Sequence, residues 1–186
     1  MNLAKKLKPG DTAPGFEAWD MTSTRQVNLG AYLGRHLLLS FYRYASCPLC
    51  NLRVHELAQR HASLHARGLD MLAVFQSPAD KMRQYVGAQH TPFPLIPDPN
   101  QALYALYGVG HSWGGFLKAW ATRLPEIGRS VVGQGYLPGS VEGGIHRIPA
   151  DFVIDPCGNI VEAYYGHDIG DHLPVERIEA FLQACS

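Results

Sequence analysis

The sequence predicts an α/β fold, with a central mixed sheet flanked by helices, and three observations carry that reading. Leu37-Leu38-Leu39-Ser40-Phe41-Tyr42 is a continuous apolar run of strand length, as expected for a strand buried on both faces. From Leu49 to Arg67, Leu49, Leu52, Leu57 and Leu64 form a helical apolar stripe, and Leu69 to Gln76 is a second buried run. Strand, long helix and strand within about 40 residues read as a right-handed βαβ unit with parallel strands. Late in the chain, Ala150 to Asp155 and Asn159 to Tyr165 read as an antiparallel hairpin turning at Pro156-Cys157-Gly158.

The remaining elements follow in order. Residues 1–9 form a loose end, and Gly10-Asp11-Thr12-Ala13-Pro14 is turn chemistry that leads to Phe16 and Trp19 as early core anchors. Val27 to Tyr32 is a short strand or turn ending near Gly34. Gly68 stops the long helix. Ser77-Pro78-Ala79-Asp80 opens a helix running to about His90, with Ser77 as its cap and Pro78 at its first position. Phe93 to Ile96 is a short strand, Pro97 to Asn100 a turn, and Gln101 to Tyr107 a short helix ended by Gly108. Pro174 to Ala184 forms a terminal helix with Val175, Ile178, Phe181 and Leu182 inward.

No internal repeat or linker divides the chain, so residues 1–186 are expected to form a single domain. Gly110 to His146 reads as an insertion before the last hairpin. Trp113, Phe116, Leu117, Trp120 and Leu124 recur at helical spacing, and Gly128 to Gly144 is a glycine-rich loop. The Trp-bearing stripe suits packing on the core, a homodimer contact, or an apolar wall beside a functional site.

Composition narrows the function classes. With 16 basic against 16 acidic residues there is no electrostatic case for nucleic acid or an anionic membrane as partner. No apolar run approaches the roughly 20 residues of a membrane helix. Met1 to Pro9 lacks the apolar core of a signal peptide, so a cytoplasmic, reducing compartment is expected. In that setting a close cysteine pair points to redox or metal chemistry.

That pair is Cys47-Pro48-Leu49-Cys50, placed after a buried strand and at the start of a helix, where Pro48 fits the first turn. Unpaired backbone N–H groups and the helix dipole favour an anion there and lower a thiol pKa. Cys47 is therefore the expected nucleophile. Cys50, deeper in the helix, is the expected resolving thiol, more buried and less reactive. Arg43 and Arg53 flank the pair, and either could support a thiolate. The competing reading is half of a zinc site. Zinc commonly takes four ligands from two pairs; no second C-x-x-C exists, and His55, Cys157 and Cys185 are scattered.

Several motifs together resemble a known family. Gly10-Asp11-x-Ala13-Pro14-x-Phe16 resembles the N-terminal signature of peroxiredoxins and related redoxins. The strand into Ser46-Cys47-Pro48 is similar to their peroxidatic segment, and Ile148-Pro149-Ala150-Asp151-Phe152-Val153-Ile154-Asp155-x-x-Gly158-x-Ile160 to their late strand and turn. The chain thus resembles the alkyl hydroperoxide reductase C / thiol-specific antioxidant superfamily, and Arg43-Tyr44-x-x-Cys47-Pro48-x-Cys50-Asn51-Leu52 is closest to its peroxiredoxin-like branch with a C-x-x-C centre. The resemblance implies a thioredoxin-like fold, a peroxide or disulfide substrate, a thioredoxin- or glutaredoxin-type electron donor and no cofactor or metal. It also implies that Pro149 is a cis-proline facing the cysteines. Two positions depart from the family pattern. Ser40 stands where a proline is usual seven residues before the peroxidatic cysteine. Tyr44 stands where a Thr or Ser is usual three residues before it. Arg147 is the nearest match to the family's second catalytic arginine.

Other candidates have ordinary readings beside functional ones. His61 and His65 share a helix face, as metal ligands or as a solvated face. His55 and Glu56 follow the cysteines by about one turn and could assist proton transfer or simply cover the helix surface. Tyr164, Tyr165, His167, Asp168, Asp171 and His172 form a polar cluster without an assigned role, and Cys157 or Cys185 could be a second resolving cysteine. The expected function is a thiol-dependent oxidoreductase, in which Cys47 attacks a peroxide or disulfide and Cys50 closes an intramolecular disulfide. The alternative is a non-catalytic redox-sensing or partner-binding module.

Overall fold

The computed structural model describes residues 5–111, 139 and 142–184. β1 (Glu17–Trp19) and β2 (Gln26–Asn28) form a small antiparallel ladder, followed by a 3-10 turn over Leu29–Tyr32. The long apolar run becomes β3 (His36–Phe41). It leads through the Cys loop into α1 (Pro48–Ala66) and then β4 (Leu69–Phe75). Next come α2 (Ala79–Gln84), β5 (Leu95–Pro97) and α3 (Ala102–Leu106), and finally β6 (Ala150–Ile154), β7 (Ile160–Tyr165) and α4 (Val175–Ala184).

The five long-range strands make one mixed sheet of order β5-β4-β3-β6-β7, with β3–β4 and β4–β5 parallel and the two β6 pairings antiparallel. β3 is central and alternates between two cores. Leu38 and Tyr42 enter the core beneath α1, α2 and α4, whereas Leu37, Leu39 and Phe41 enter the core with Phe16, Tyr32, Tyr104 and Tyr107. A strand covered on both sides has no polar face to display, which is why it reads as an unbroken apolar run. Gly68, at φ +87°, takes the left-handed conformation that ends α1 where a side chain would be strained.

The βαβ unit, the hairpin and the terminal helix lie where the sequence places them, and three expectations are corrected. Trp19 is 55% exposed, not a core anchor, because β1 is an outlying ribbon with its alternate residues in solvent. Ser77 does not cap the following helix. Pro78 occupies the cap position, and the Ser77 hydroxyl serves the Cys loop instead. That helix also stops at Gln84. Tyr85 leaves helical geometry at φ −110°, ψ −88°, and Val86–Gln89 continues only as a 3-10 turn. The helix expected over Trp113 to Leu124, and most of the glycine-rich loop after it, lie outside the described residues, as does Cys185. No helix among the described residues is long and apolar enough to cross a membrane.

Candidate active site

The loop 42–47 carries the chain from the end of β3 to the start of α1, and both flanking elements hold it. Tyr42 N–H still bonds to Val74 O at 2.9 Å, and Gln76 N–H bonds to Arg43 O at 3.1 Å, so the sheet pattern extends to Arg43. Ala45 N–H then donates to Ser77 Oγ at 2.8 Å, and Cys47 N–H to Tyr44 O at 3.0 Å. Buried Asn51, one helical turn beyond Cys47, donates from Nδ2 to Ala45 O (2.7 Å) and Cys47 O (2.9 Å). Gln89 Nε2 donates to Asn51 Oδ1 at 2.8 Å. Each bond satisfies a loop carbonyl or amide that burial would otherwise leave unpaired.

Cys47 is the N-cap of α1, with Pro48 in the first turn as expected. Its sulfur therefore lies at the N-terminal end of a helix, where the first amides have no carbonyl partner within the helix. Cys50 lies one turn in, and both thiols are free and about 1% exposed. Arg43 Nη1 donates to Cys47 Sγ at 3.4 Å, and its Nη2 donates to Ile145 O. No carboxylate among the described residues pairs with this buried guanidinium, whose charged neighbours are Cys47, Cys50 and Tyr44. A buried cation without a counterion is costly, so the site favours an anion on sulfur.

The two thiols ionise in opposite directions. Burial pushes the Cys47 pKa up. Hydrogen bonds from the Cys50 thiol and backbone, with the Arg43 charge, outweigh it and bring the pKa down to about 6. For Cys50, burial, with the hydrogen bond it gives Cys47 and the charge there, outweighs the pull of Arg43 and holds the thiol well above its ordinary range. Tyr44 is half-buried, with the Arg43 guanidinium 4.9 Å from its ring centre. Burial and the Cys47 charge push its pKa up to about 12, so it stays a neutral O–H donor beside a thiolate.

Not every predicted residue belongs to this group. Arg53 does not touch the thiols. It bonds to Glu56 (2.8 Å) and to Leu173 O (2.6 Å), because its position on α1 faces the α4 side. Glu56 is thereby engaged, and His55 bonds to Gln59. Arg147 is buried against the Tyr104 ring (4.5 Å) and bonded to Val109 O, Gln101 Oε1 and Gln76 Oε1. It reaches the loop only through Gln76, which also binds the Arg43 carbonyl.

The expectation for Pro149 is corrected. No described peptide bond is cis, and the segment enters β6 extended, with Ile148 N–H on Gly110 O and Pro149 O accepting Gly166 N–H. Those bonds are made on the trans chain, the lower-energy form. Pro149 lines a cavity of about 310 Å³ with Lys6, His111, Tyr165 and His167, and neither cysteine lines it. Cys157 is exposed in the β6–β7 turn. No group of three or more His, Cys, Asp or Glu residues among the described residues could hold a metal ion.

Sequence reasoning missed Asn51, Gln76, Ser77, Gln89 and the Ile145 carbonyl. Only Asn51 carried a usable signal, since a side-chain amide four residues after Cys47 can return to its carbonyl.

The AhpC/TSA family model matches residues 9–163. The peroxiredoxin Bcp of Escherichia coli is 28% identical over 166 residues, covering 89% of this chain and 90% of that protein. Two solved structures share the fold. Peroxidoxin BcpB from Mycobacterium tuberculosis has a TM-score of 0.68 at 19% identity, covering 97% of this chain and 99% of that one. Enterococcus faecalis AhpC has a TM-score of 0.68 at 16% identity, covering 97% and 93%. The fold is thioredoxin-like.

Proposed function

The chain belongs to the AhpC/TSA family and is a thiol-dependent oxidoreductase, and we propose that Cys47 is its attacking thiol and Cys50 its resolving thiol in the reduction of a peroxide. The Cys47 thiolate attacks a peroxide oxygen. The O–O bond breaks, water or an alcohol leaves with a proton, and Cys47 becomes a sulfenic acid. Cys50 then attacks that sulfur, the S–O bond breaks, and water leaves as the Cys47–Cys50 disulfide forms. A thioredoxin- or glutaredoxin-type dithiol returns two electrons and restores the pair. This cycle needs a reducing compartment, so the cytoplasm is the proposed location.

The observation that carries the reading is the buried Arg43 guanidinium, bonded to Cys47 Sγ and paired with no carboxylate among the described residues. Arg43 supports the thiolate and then the charge that develops on the leaving oxygen. Tyr44 supplies a neutral hydroxyl in place of the usual Thr or Ser, and Pro48 starts the helix whose N-terminus faces the sulfur. A second reading, thiol–disulfide exchange, is favoured by the one-turn spacing of the two thiols.

Rapid mixing of the reduced protein with hydrogen peroxide, an organic hydroperoxide and a model disulfide separates these. Loss of reactivity in Cys47→Ser, with a trapped sulfenic acid in Cys50→Ser, is the expected result. Equal behaviour of both variants and the unaltered protein would sink the assignment. Repeated turnover with an external dithiol distinguishes a catalyst from a sensor that oxidises once.

A further inference from the structure

We propose that Gln76 and Gly143 are positioning residues for the reaction at Cys47: they seat the turn 144–147 against the Cys loop, and the Ile145 carbonyl of that turn holds Arg43 on the sulfur. The proposal rests on the reading of Cys47 and Arg43 given above. It starts from a geometric need. Arg43 has a long side chain, and holding a guanidinium at one place on a flexible stem costs rotamer entropy. Its bond to Cys47 Sγ uses Nη1 alone, so a second contact must fix the plane of the fork. That contact is Nη2 on Ile145 O, 102 residues away in sequence.

The turn is built to offer that carbonyl. Arg147 N–H bonds to Gly144 O at 3.1 Å and closes four residues, with Ile145 and His146 at the centre. The carbonyls of the central residues take no part in the closing bond, so Ile145 O can serve Arg43. Gln76 ties the turn to the loop at two points. Its backbone N–H donates to Arg43 O at 3.1 Å, and its Nε2 donates to Gly144 O at 3.1 Å. One residue thus holds the main chain of Arg43 and the turn that receives its side chain. Arg147 fixes which way the Gln76 amide points. A guanidinium only donates, so its Nε, 3.3 Å away, meets Oε1 and leaves Nε2 for the carbonyl. A second tie runs alongside. Ser77 Oγ accepts Ala45 N–H at 2.8 Å and donates to Glu142 at 2.7 Å.

Gly143 makes the close approach possible. Its φ of +73° is in the left-handed region. A Cβ there would stand 2.8 Å from both Cδ and Oε1 of Gln76. The end of a free glutamine could step aside. This one is 1% exposed and tied to Arg147 and Gly144, so it could move only by giving up those bonds. Gly144 is confined as well, because a Cβ there would meet His111 Nε2 at 2.8 Å. The two glycines are therefore needed for fit as much as for turning. Arg147 also gains a place in the site. Without touching the sulfur, it orients the amide that seats the turn.

The test titrates the thiolate absorbance of the reduced protein and follows its reaction with hydrogen peroxide by stopped flow at pH 7. Gln76→Met keeps the side-chain length and the backbone N–H but removes both side-chain bonds. Expected is a Cys47 inflection about one unit above its value near 6 and a peroxide reaction slowed about tenfold, the size of one charge-assisted hydrogen bond. Gly143→Ala should act in the same direction. It should add little to Gln76→Ala, where the amide it displaces is already absent. In an Arg43→Met background Gln76→Met should move neither quantity, because no guanidinium is left to position. Wild-type titration in both Gln76→Met and Gly143→Ala, or the same shift with and without Arg43, would overturn the proposal. A residue that merely stabilises the loop gives the second pattern. If Gln76→Met does not fold, Gly143→Ala with and without Arg43 decides. A wild-type protein that titrates near 6 but forms no sulfenic acid with peroxide overturns the reading of Cys47, and this proposal with it. Failure of the comparison with and without Arg43 overturns the positioning role alone.

Discussion

Replacing Arg43 with Met removes the charge on Cys47 while keeping an unbranched apolar side chain. With a pKa of about 6, about nine-tenths of Cys47 is thiolate at pH 7. An ordinary thiol at about 8.5 would be roughly 3% ionised, a roughly 30-fold loss. Burial, which raises the pKa, and the Cys50 hydrogen bonds, which lower it, both survive the substitution, so the ordinary thiol value is taken as the reference. Against this loss, a thiolate of higher pKa is a better nucleophile. A Brønsted slope of about 0.4–0.5 over 2.5 units returns roughly tenfold. The net effect on attack at a model disulfide is then only about threefold at pH 7, and the variant and wild-type profiles cross near pH 7.5. Toward a peroxide, Arg43→Met stays slower at every pH, because the guanidinium also supports the leaving oxygen. Thiolate absorbance titration and stopped-flow rates from pH 5 to 9.5 measure both effects. A Cys47 inflection that remains near 6 in Arg43→Met would refute the assignment of Arg43 as the source of the thiolate.

Three further outcomes are expected. Asn51→Ala strands the buried Ala45 carbonyl and removes the side-chain acceptor of the Gln89 amide, while the Cys47 carbonyl keeps the Asn51 backbone N–H, and should cost about 2 kcal/mol by chemical denaturation. Tyr44→Phe removes a protonated hydroxyl and should slow the peroxide reaction about fivefold to tenfold, the equivalent of one hydrogen bond, while leaving model-disulfide exchange unchanged. The folded Cys47 pKa lies below the unfolded value, so the unfolded chain binds more protons between about pH 6 and 8.5. Stability of the reduced protein should therefore rise across that window and lose roughly 3 kcal/mol as pH falls below it. Denaturation series under reducing conditions should show this slope, and Cys47→Ser should flatten it.

The legibility of this chain in sequence follows how local each signal is. The βαβ unit was readable because burial of β3 and β4 on both faces leaves only apolar residues, and because α1 has a full stripe of leucines. The Cys47–Cys50 pair was readable because its helix N-terminus lies beside it in sequence. What surrounds the pair was not. Ser77, Gln89 and Ile145 reach the loop from 30 to 100 residues away, and nothing in their local pattern separates them from surface residues. Ser77 is the instructive failure. Its position before Pro78 matches a helix cap, but a buried loop amide at Ala45 had no other acceptor, and that need outweighed a cap worth about 1 kcal/mol. Arg53 failed for the same reason in reverse. Nearness in sequence suggested the thiolate, yet its rotation around α1 turns it to Leu173.

The two departures from the family pattern have different physical weight once their places are known. Ser40 pairs across the sheet with Asp151 and shares a strand face with Leu38 and Tyr42. It is therefore in the core beneath α1, beside Asp151. Tyr44 departs at the sulfur itself. A Thr or Ser hydroxyl can hold a small peroxide without filling the site. A phenol beside a guanidinium is bulkier and carries its hydroxyl several bonds further from the backbone. The oxygen it can reach is accordingly further from the backbone of residue 44 than one a Thr or Ser hydroxyl would hold. Substrate size should respond to this position more than to any other near Cys47. Tyr44→Thr should thus shift the ratio of hydrogen peroxide to bulky organic hydroperoxide rates, whereas Ser40 variants should leave that ratio alone.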